Sequence, residues 1–213
     1  MSAITLHYFD GYGRAESIRM MFHHHGTHFT DHRIQSSEWP PLQSSGLCEF
    51  SELPVLECDG LRMSQTRSIS RYVAQKLGYG TSNHYDEYLV ESICDLRSEI
   101  LQYFLKLLLK KDLVTYDKEI NSSMVEWLQL IEARLVKNNG GNGWFVGNKI
   151  TRADFEIFES IYDFMIRDDF GNKYSHLIAT HAPKLNSFMS RFRESSHSFS
   201  NYMNNRPKSS FQA

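Results

Sequence analysis

Ile4-Thr5-Leu6-His7-Tyr8-Phe9-Asp10-Gly11-Tyr12-Gly13-Arg14-Ala15-Glu16 is the stretch on which the fold turns. Ile4, Leu6 and Tyr8 alternate with Thr5 and His7, the period-two pattern of a half-buried strand. Asp10, Gly11 and Gly13 break that pattern. Ala15, Ile18 and the pair Met21-Phe22 then repeat at helical spacing until Gly26, a residue suited to the left-handed turn that stops a helix. The order is therefore strand, loop, helix, and Tyr8 sits at the strand end, where an open α/β sheet meets its ligand crevice.

Working outward, residues 28–34 carry a weaker strand pattern, and residues 35–51 form a long polar connection of the kind that is often functional. Residues 55–58 and 61–63 flank Asp59-Gly60, a dipeptide that accepts the positive φ values of a two-residue hairpin turn. Ser64 is the expected N-cap of a helix whose apolar positions Ile69, Tyr72, Val73 and Leu77 end at Gly78. The first unit thus reads βαβ followed by ββα. Gly80, Thr81, Ser82 and Asn83 make a polar link. A first domain is expected over residues 1–78, a linker over 79–85 and a second domain over 86–213.

In the second domain Leu89, Ile93, Leu96, Ile100, Phe104 and Leu107 recur at intervals of three and four, as do Ile120, Met124, Trp127, Ile131 and Leu135. Two long helices follow. Phe155, Phe158, Ile161 and Met165 mark a third, and Leu185, Phe188, Met189 and Phe192 a later one. Thr151-x-x-Asp154, flanked by Ile150 and Phe155, has the form of a capping box with a hydrophobic staple. Residues 195–213 are polar and are expected to form a partly ordered tail. The fold class is α/β plus all-α.

The whole chain has 213 residues, room for one large or two small cores. Its 41% hydrophobic and 23% charged content excludes disordered, collagen-like and coiled-coil classes. A net charge of −2 with interspersed signs implies no nucleic-acid-binding face. Cys48, Cys58 and Cys94 are odd in number and far apart, which suits free thiols and a reducing, cytoplasmic setting. No run approaches the ~18 apolar residues of a membrane span, and neither a signal peptide nor a membrane association is expected. His23-His24-His25 cannot share one coordination face, because successive helical residues point about 100° apart, so the run is read as helix surface and no metal is expected.

The Tyr8 to Glu16 segment resembles that of a cytosolic glutathione transferase, closest to the sigma class that includes the glutathione-dependent prostaglandin D synthases and the S-crystallins. The resemblance extends over nearly the whole chain. It is carried also by Asp31-His32-Arg33-Ile34, Glu38-Trp39, Leu53-Pro54-Val55-Leu56-Glu57, Gln65-Thr66, Arg71-Tyr72, Gly147-Asn148 and Thr151-Arg152-Ala153-Asp154-Phe155. It implies a thioredoxin-like N-terminal domain, a C-terminal helical bundle, a homodimer and glutathione as co-substrate.

The activity so implied is activation of the glutathione thiol, followed by conjugation to, or isomerisation of, hydrophobic electrophiles. Tyr8 would donate a hydrogen bond to the thiolate, because a phenol with a pKa of roughly 10 is protonated at neutral pH. Arg14 would polarise that network. By the same resemblance Trp39 and Gln43 contact the glycyl end of glutathione, and the backbone of Leu53, before a cis Pro54, contacts its cysteinyl part. Gln65 and Thr66 hold the γ-glutamyl carboxylate at a helix N-terminus, where free N–H groups favour anions. Glu99 of the partner subunit reaches the glutamyl amine. The hydrophobic substrate would lie among Phe9, Gly13, Arg14, Leu101 and Leu105.

Gln43 and Glu52 stand where the class commonly has Lys, so the charge pairing of the glycyl carboxylate is lost or reversed. One exposed ion pair is worth only about 0–1 kcal/mol, so weakened binding is expected rather than none. The competing reading is a non-enzymatic, S-crystallin-like structural or ligand-binding relative with weakened glutathione affinity.

Overall fold

The computed structural model describes residues 3–167, 170 and 173–208. Their backbone forms two compact units, one of residues 3–78 with 196–208 and the other within residues 79–195. In the first unit, β1 (Thr5–Phe9) is followed by a 3-10 turn, Gly13–Ala15, and by α1 (Glu16–His25). Gly26 stops α1 with φ 75°, its N–H turned back to the carbonyls of His23 and Phe22. β2 (Thr30–Ile34) then pairs parallel with β1, and β3 (Val55–Cys58) and β4 (Leu61–Ser64) complete a four-stranded sheet of order β2-β1-β3-β4 with antiparallel pairings. Asp59 and Gly60 take φ values of 54° and 75°, as a tight hairpin turn between right-twisted strands requires. Leu6, Ile18, Met21, Phe22, Val55, Leu56, Ile69 and Val73 are buried and form its core.

Three local expectations are corrected in this unit. The connection after β2 is not irregular throughout: α2 (Trp39–Ser44) occupies part of it, with Pro40 and Pro41 in its first turn, where missing N–H groups cost nothing. Ser64 pairs with Val55 at the end of β4 and so cannot cap the next helix. α3 (Thr66–Lys76) instead starts after Gln65, which has φ 74°. The polar stretch expected as a partly ordered tail carries α10 (His197–Asn205), which packs on α1 and buries Phe199, Tyr202 and Met203. Residues 209–213 lie outside the described residues.

The second unit comprises α4 (His84–Leu109), α5 (Leu113–Ile120), α6 (Ser123–Val136), α7 (Arg152–Ile161), α8 (Ser175–His181) and α9 (Pro183–Arg193). One helix expected from residues 120–135 is two, because the Asp112 carboxylate caps α5 by accepting the Thr115 N–H at 3.1 Å and the chain breaks again at Asn121 and Ser122. Every residue of α7 is buried. Its capping box forms as read: Asp154 Oδ2 accepts the Thr151 N–H at 2.7 Å and the Thr151 hydroxyl at 2.9 Å, while Oδ1 accepts the Phe145 N–H at 2.9 Å. The charged side chains of α7 meet Arg97 of α4, which contacts Glu156 at 3.0 Å and donates to Glu159 at 2.6 Å. No helix among the described residues is long and apolar enough to cross a membrane.

Candidate functional site

The last residues of β1 set the geometry of the first unit's open edge. Tyr8 is 7% exposed, and its hydroxyl accepts the backbone N–H of Arg14 at 3.2 Å. A phenol that accepts one hydrogen bond becomes the stronger donor through its own O–H. That approach needs Gly13: with φ 47° it closes the loop over Tyr8, and a Cβ there would stand 3.0 Å from the phenol oxygen. The Arg14 side chain is exposed, so within this unit the residue reaches Tyr8 through its backbone. Phe9 ends the strand with its ring edge-on to Trp39, the first residue of α2, at 5.3 Å.

Carried one residue past the ladders, the strand registers line up the other candidates. His7 faces Val55 and Val55 faces Ser64, so Tyr8, Pro54 and Gln65 fall in one row across the sheet. Neighbouring strands lie about 4.8 Å apart, which puts the backbones of Tyr8 and Gln65 about 10 Å from each other. Between them Leu53 and Pro54 are buried and joined by a cis bond, in agreement with the expectation for this pair. The Gln65 side chain makes no capping bond to α3, so the helix presents its positive end beside the row. Gln65 holds a left-handed conformation that a non-glycine residue adopts only at a cost of about 1–3 kcal/mol, as occurs where a ligand is gripped. Gln43 is exposed on α2 and donates to the Ser51 carbonyl at 3.2 Å, and Glu52 is also exposed.

The remaining candidates belong to α4 in the second unit. Glu99 is exposed, Leu101 buried and Leu105 half-buried.

Beneath the loop after β1 lies a cluster of charges that the motif reading did not single out as a group. Arg19, fully buried, donates to the Gly11 carbonyl at 2.7 Å, to Glu16 at 3.1 Å and to Asp31 at 2.9 Å, and its guanidinium lies 5.7 Å from the centre of the Tyr8 ring. Arg33 joins Asp31 at 2.7 Å and Asp10 at 3.4 Å. Glu16 is fully buried, and burial by itself pushes its carboxyl up. Arg206, then Arg19 and a hydrogen bond from Tyr202, outweigh that and hold it below the usual carboxylate range. Glu16 and Arg19 stand three apart in α1, a spacing that pairs opposite charges, but the burial of every residue from 16 to 22 is what encloses them, and that is set by the rest of the fold.

The three histidines are not simply helix surface. His23 stacks on Tyr202 at 3.9 Å, and burial lowers the pKa of His24 to about 4, while His25 is exposed. Among the described residues no cluster of three or more His, Cys, Asp or Glu is placed to hold a metal. Cys48 is buried, and burial pushes its thiol up, away from nucleophilic character.

Residues 94–206 match the glutathione S-transferase C-terminal domain. S-crystallin 4 of Enteroctopus dofleini is 33% identical over 182 residues, covering 79% of this chain and 84% of that protein. Human hematopoietic prostaglandin D synthase is 30% identical over 157 residues, covering 73% of this chain and 76% of its own. The structure of a glutathione S-transferase from the hookworm Necator americanus, described as monomeric, superposes with a TM-score of 0.82 at 27% identity, over 98% of this chain and 100% of that one. A four-stranded unit with an unblocked helix end beside Tyr8, an all-helical second unit and these relatives together identify the chain as a member of the glutathione S-transferase family.

Proposed function

We propose that this protein is a sigma-class-like glutathione transferase that ionises the thiol of glutathione at Tyr8 and delivers it to hydrophobic electrophiles. The observation that carries the reading is the row Tyr8, Pro54, Gln65, which puts a hydrogen-bond donor and an unblocked helix N-terminus about 10 Å apart. The first peptide link of glutathione runs through the glutamyl side chain, so eight bonds separate its α-carboxylate carbon from the cysteine sulfur, and extended they cover about 10 Å. Its γ-glutamyl carboxylate meets the N–H groups of α3 and the Thr66 hydroxyl, its backbone meets Leu53, and its sulfur meets the Tyr8 O–H. The hydrogen bond stabilises the anion and not the thiol, so it lowers the thiol pKa from about 8.5 towards neutrality. Trp39 and Gln43 flank the glycyl end. Phe9 and Gly13 offer apolar surface for the electrophile beside the sulfur.

We read the working form as a cytoplasmic homodimer in which Glu99 of the partner subunit reaches the glutamyl amine. The hookworm relative is described as monomeric, so light scattering at working concentration tests this part: a mass of one chain overturns it.

A second reading has its own support. Exposed Glu52 and the neutral Gln43 remove positive charge from the glycyl end, and S-crystallins are among the relatives. Calorimetric titration with glutathione, together with turnover of an aryl halide, separates the two. Saturable binding and a Tyr8→Phe loss of turnover support the enzyme. Absent binding together with absent turnover supports the structural protein, and turnover indifferent to Tyr8→Phe overturns the assignment of thiol activation to Tyr8.

A further inference from the structure

The loop that carries the Tyr8 partner is anchored from a distant part of the chain. Glu16 Oε1 accepts hydrogen bonds from the Tyr202 hydroxyl at 2.7 Å and from Arg206 at 2.8 Å, while Oε2 faces Arg19 at 3.1 Å. The same Arg19 nitrogen donates to the Gly11 carbonyl at 2.7 Å. The Arg206 guanidinium also lies 3.8 Å from the centre of the Tyr12 ring. Gly11 and Tyr12 are thereby held from below and from the side, immediately before the Gly13-Arg14 step that presents its N–H to Tyr8. The Arg206 side chain is 6% exposed, so the contact is not a solvated surface pair.

We propose that Arg206 and Tyr202 are positioning residues of the thiol site: by fixing the Glu16 carboxylate they keep Arg19 on the Gly11 carbonyl and the Gly11–Arg14 loop closed on the Tyr8 hydroxyl.

The charges give the proposal a sign. Around Glu16 stand Arg19 and His23 of α1, Asp31 and Arg33 of β2, Asp10 of the loop, and Tyr202 and Arg206 of the α10 segment. Arg19, Arg33 and Arg206 balance Glu16, Asp31 and Asp10. Without Arg206 the buried cluster carries a surplus negative charge, which opposes formation of a second anion at the neighbouring hydroxyl, and the loop loses one of its two anchors. Both effects raise the thiol pKa. A merely structural role lowers the unfolding midpoint and leaves that pKa alone.

The inference rests on the proposed thiol activation, so the wild-type protein is measured first. The pKa of bound glutathione is read from thiolate ultraviolet absorbance against pH in the wild type, Arg206→Met, Arg206→Lys and Tyr202→Phe. The expected result is a rise of about half to one unit in Arg206→Met, at least half recovered in Arg206→Lys, with a smaller rise in Tyr202→Phe. A wild-type protein that leaves the thiol un-ionised overturns the proposed function and this inference with it. An ionised thiol in the wild type with an unchanged pKa in Arg206→Met overturns the inference alone. Should Arg206→Met not fold, an unchanged pKa in Tyr202→Phe does the same.

Discussion

Replacing Asp154 with Ala tests how the second unit is held together, and the structure sets both the size and the pH dependence of the effect. The carboxylate is fully buried and accepts the backbone N–H groups of Thr151 and Phe145 and the Thr151 hydroxyl, so the truncation strands two buried N–H groups as well as a hydroxyl. Each such donor costs about 1–3 kcal/mol, for a loss of about 4 kcal/mol together. Burial, opposed by those same hydrogen bonds, raises the carboxyl from 3.8 to about 6. A carboxyl whose folded pKa lies above its unfolded value disfavours folding increasingly as pH rises through that interval. The step is worth about 3 kcal/mol in full, and about half of it is present by pH 5. The alanine variant lacks this penalty, so its deficit relative to wild type shrinks by roughly 1 kcal/mol between pH 5 and pH 7.5. Urea denaturation of both proteins at the two pH values measures it. A deficit below about 1 kcal/mol at pH 5, or one that grows with pH, refutes the reasoning.

Gly13→Ala forces a positive φ on a residue with a side chain and sets its Cβ 3.0 Å from the Tyr8 oxygen. Turnover is expected to fall about tenfold or more while far-ultraviolet circular dichroism stays unchanged, and steady-state kinetics read it. Arg97→Met removes the cation that Glu156 and Glu159 share inside the second unit. The expected loss is about 3–5 kcal/mol in chemical denaturation, smaller when Glu159→Gln is added, because one of the stranded carboxylates is then neutral. Cys48 and Cys94 are buried with thiols pushed up by burial, so a disulfide reagent at neutral pH is expected to label both slowly in the native protein and rapidly after unfolding.

What could be read in advance follows the range of the interactions. β1, the Asp59-Gly60 hairpin and the Thr151-Asp154 capping box are short-range patterns, each decided by residues within a few positions of one another, and each forms, although β1 is buried on both faces, His7 included, where the alternation predicted a half-buried strand. α2 was hidden because its two prolines read as loop residues, although prolines in a first helical turn leave no hydrogen bond unmade. Ser64 and Gln65 both precede a helical pattern, and only the pairing of Ser64 with Val55 decides that the helix waits one residue longer. α10 escaped because its weak apolar pattern gains its stability from α1. The charge cluster under Tyr8 was least legible of all: Glu16 and Arg206 are 190 residues apart, and nothing local to either position marks the contact.

The most direct test of the account is the ionisation of glutathione bound to the wild-type protein and to Tyr8→Phe, followed by thiolate absorbance against pH. A hydrogen bond to a charged acceptor is worth about 1.5–3 kcal/mol, equivalent to about one to two pKa units. The account predicts a wild-type thiol pKa lower than that of free glutathione by this amount, and its return towards about 8.5 in Tyr8→Phe. Equal thiol pKa values in the two proteins, with glutathione demonstrably bound to both, would contradict it.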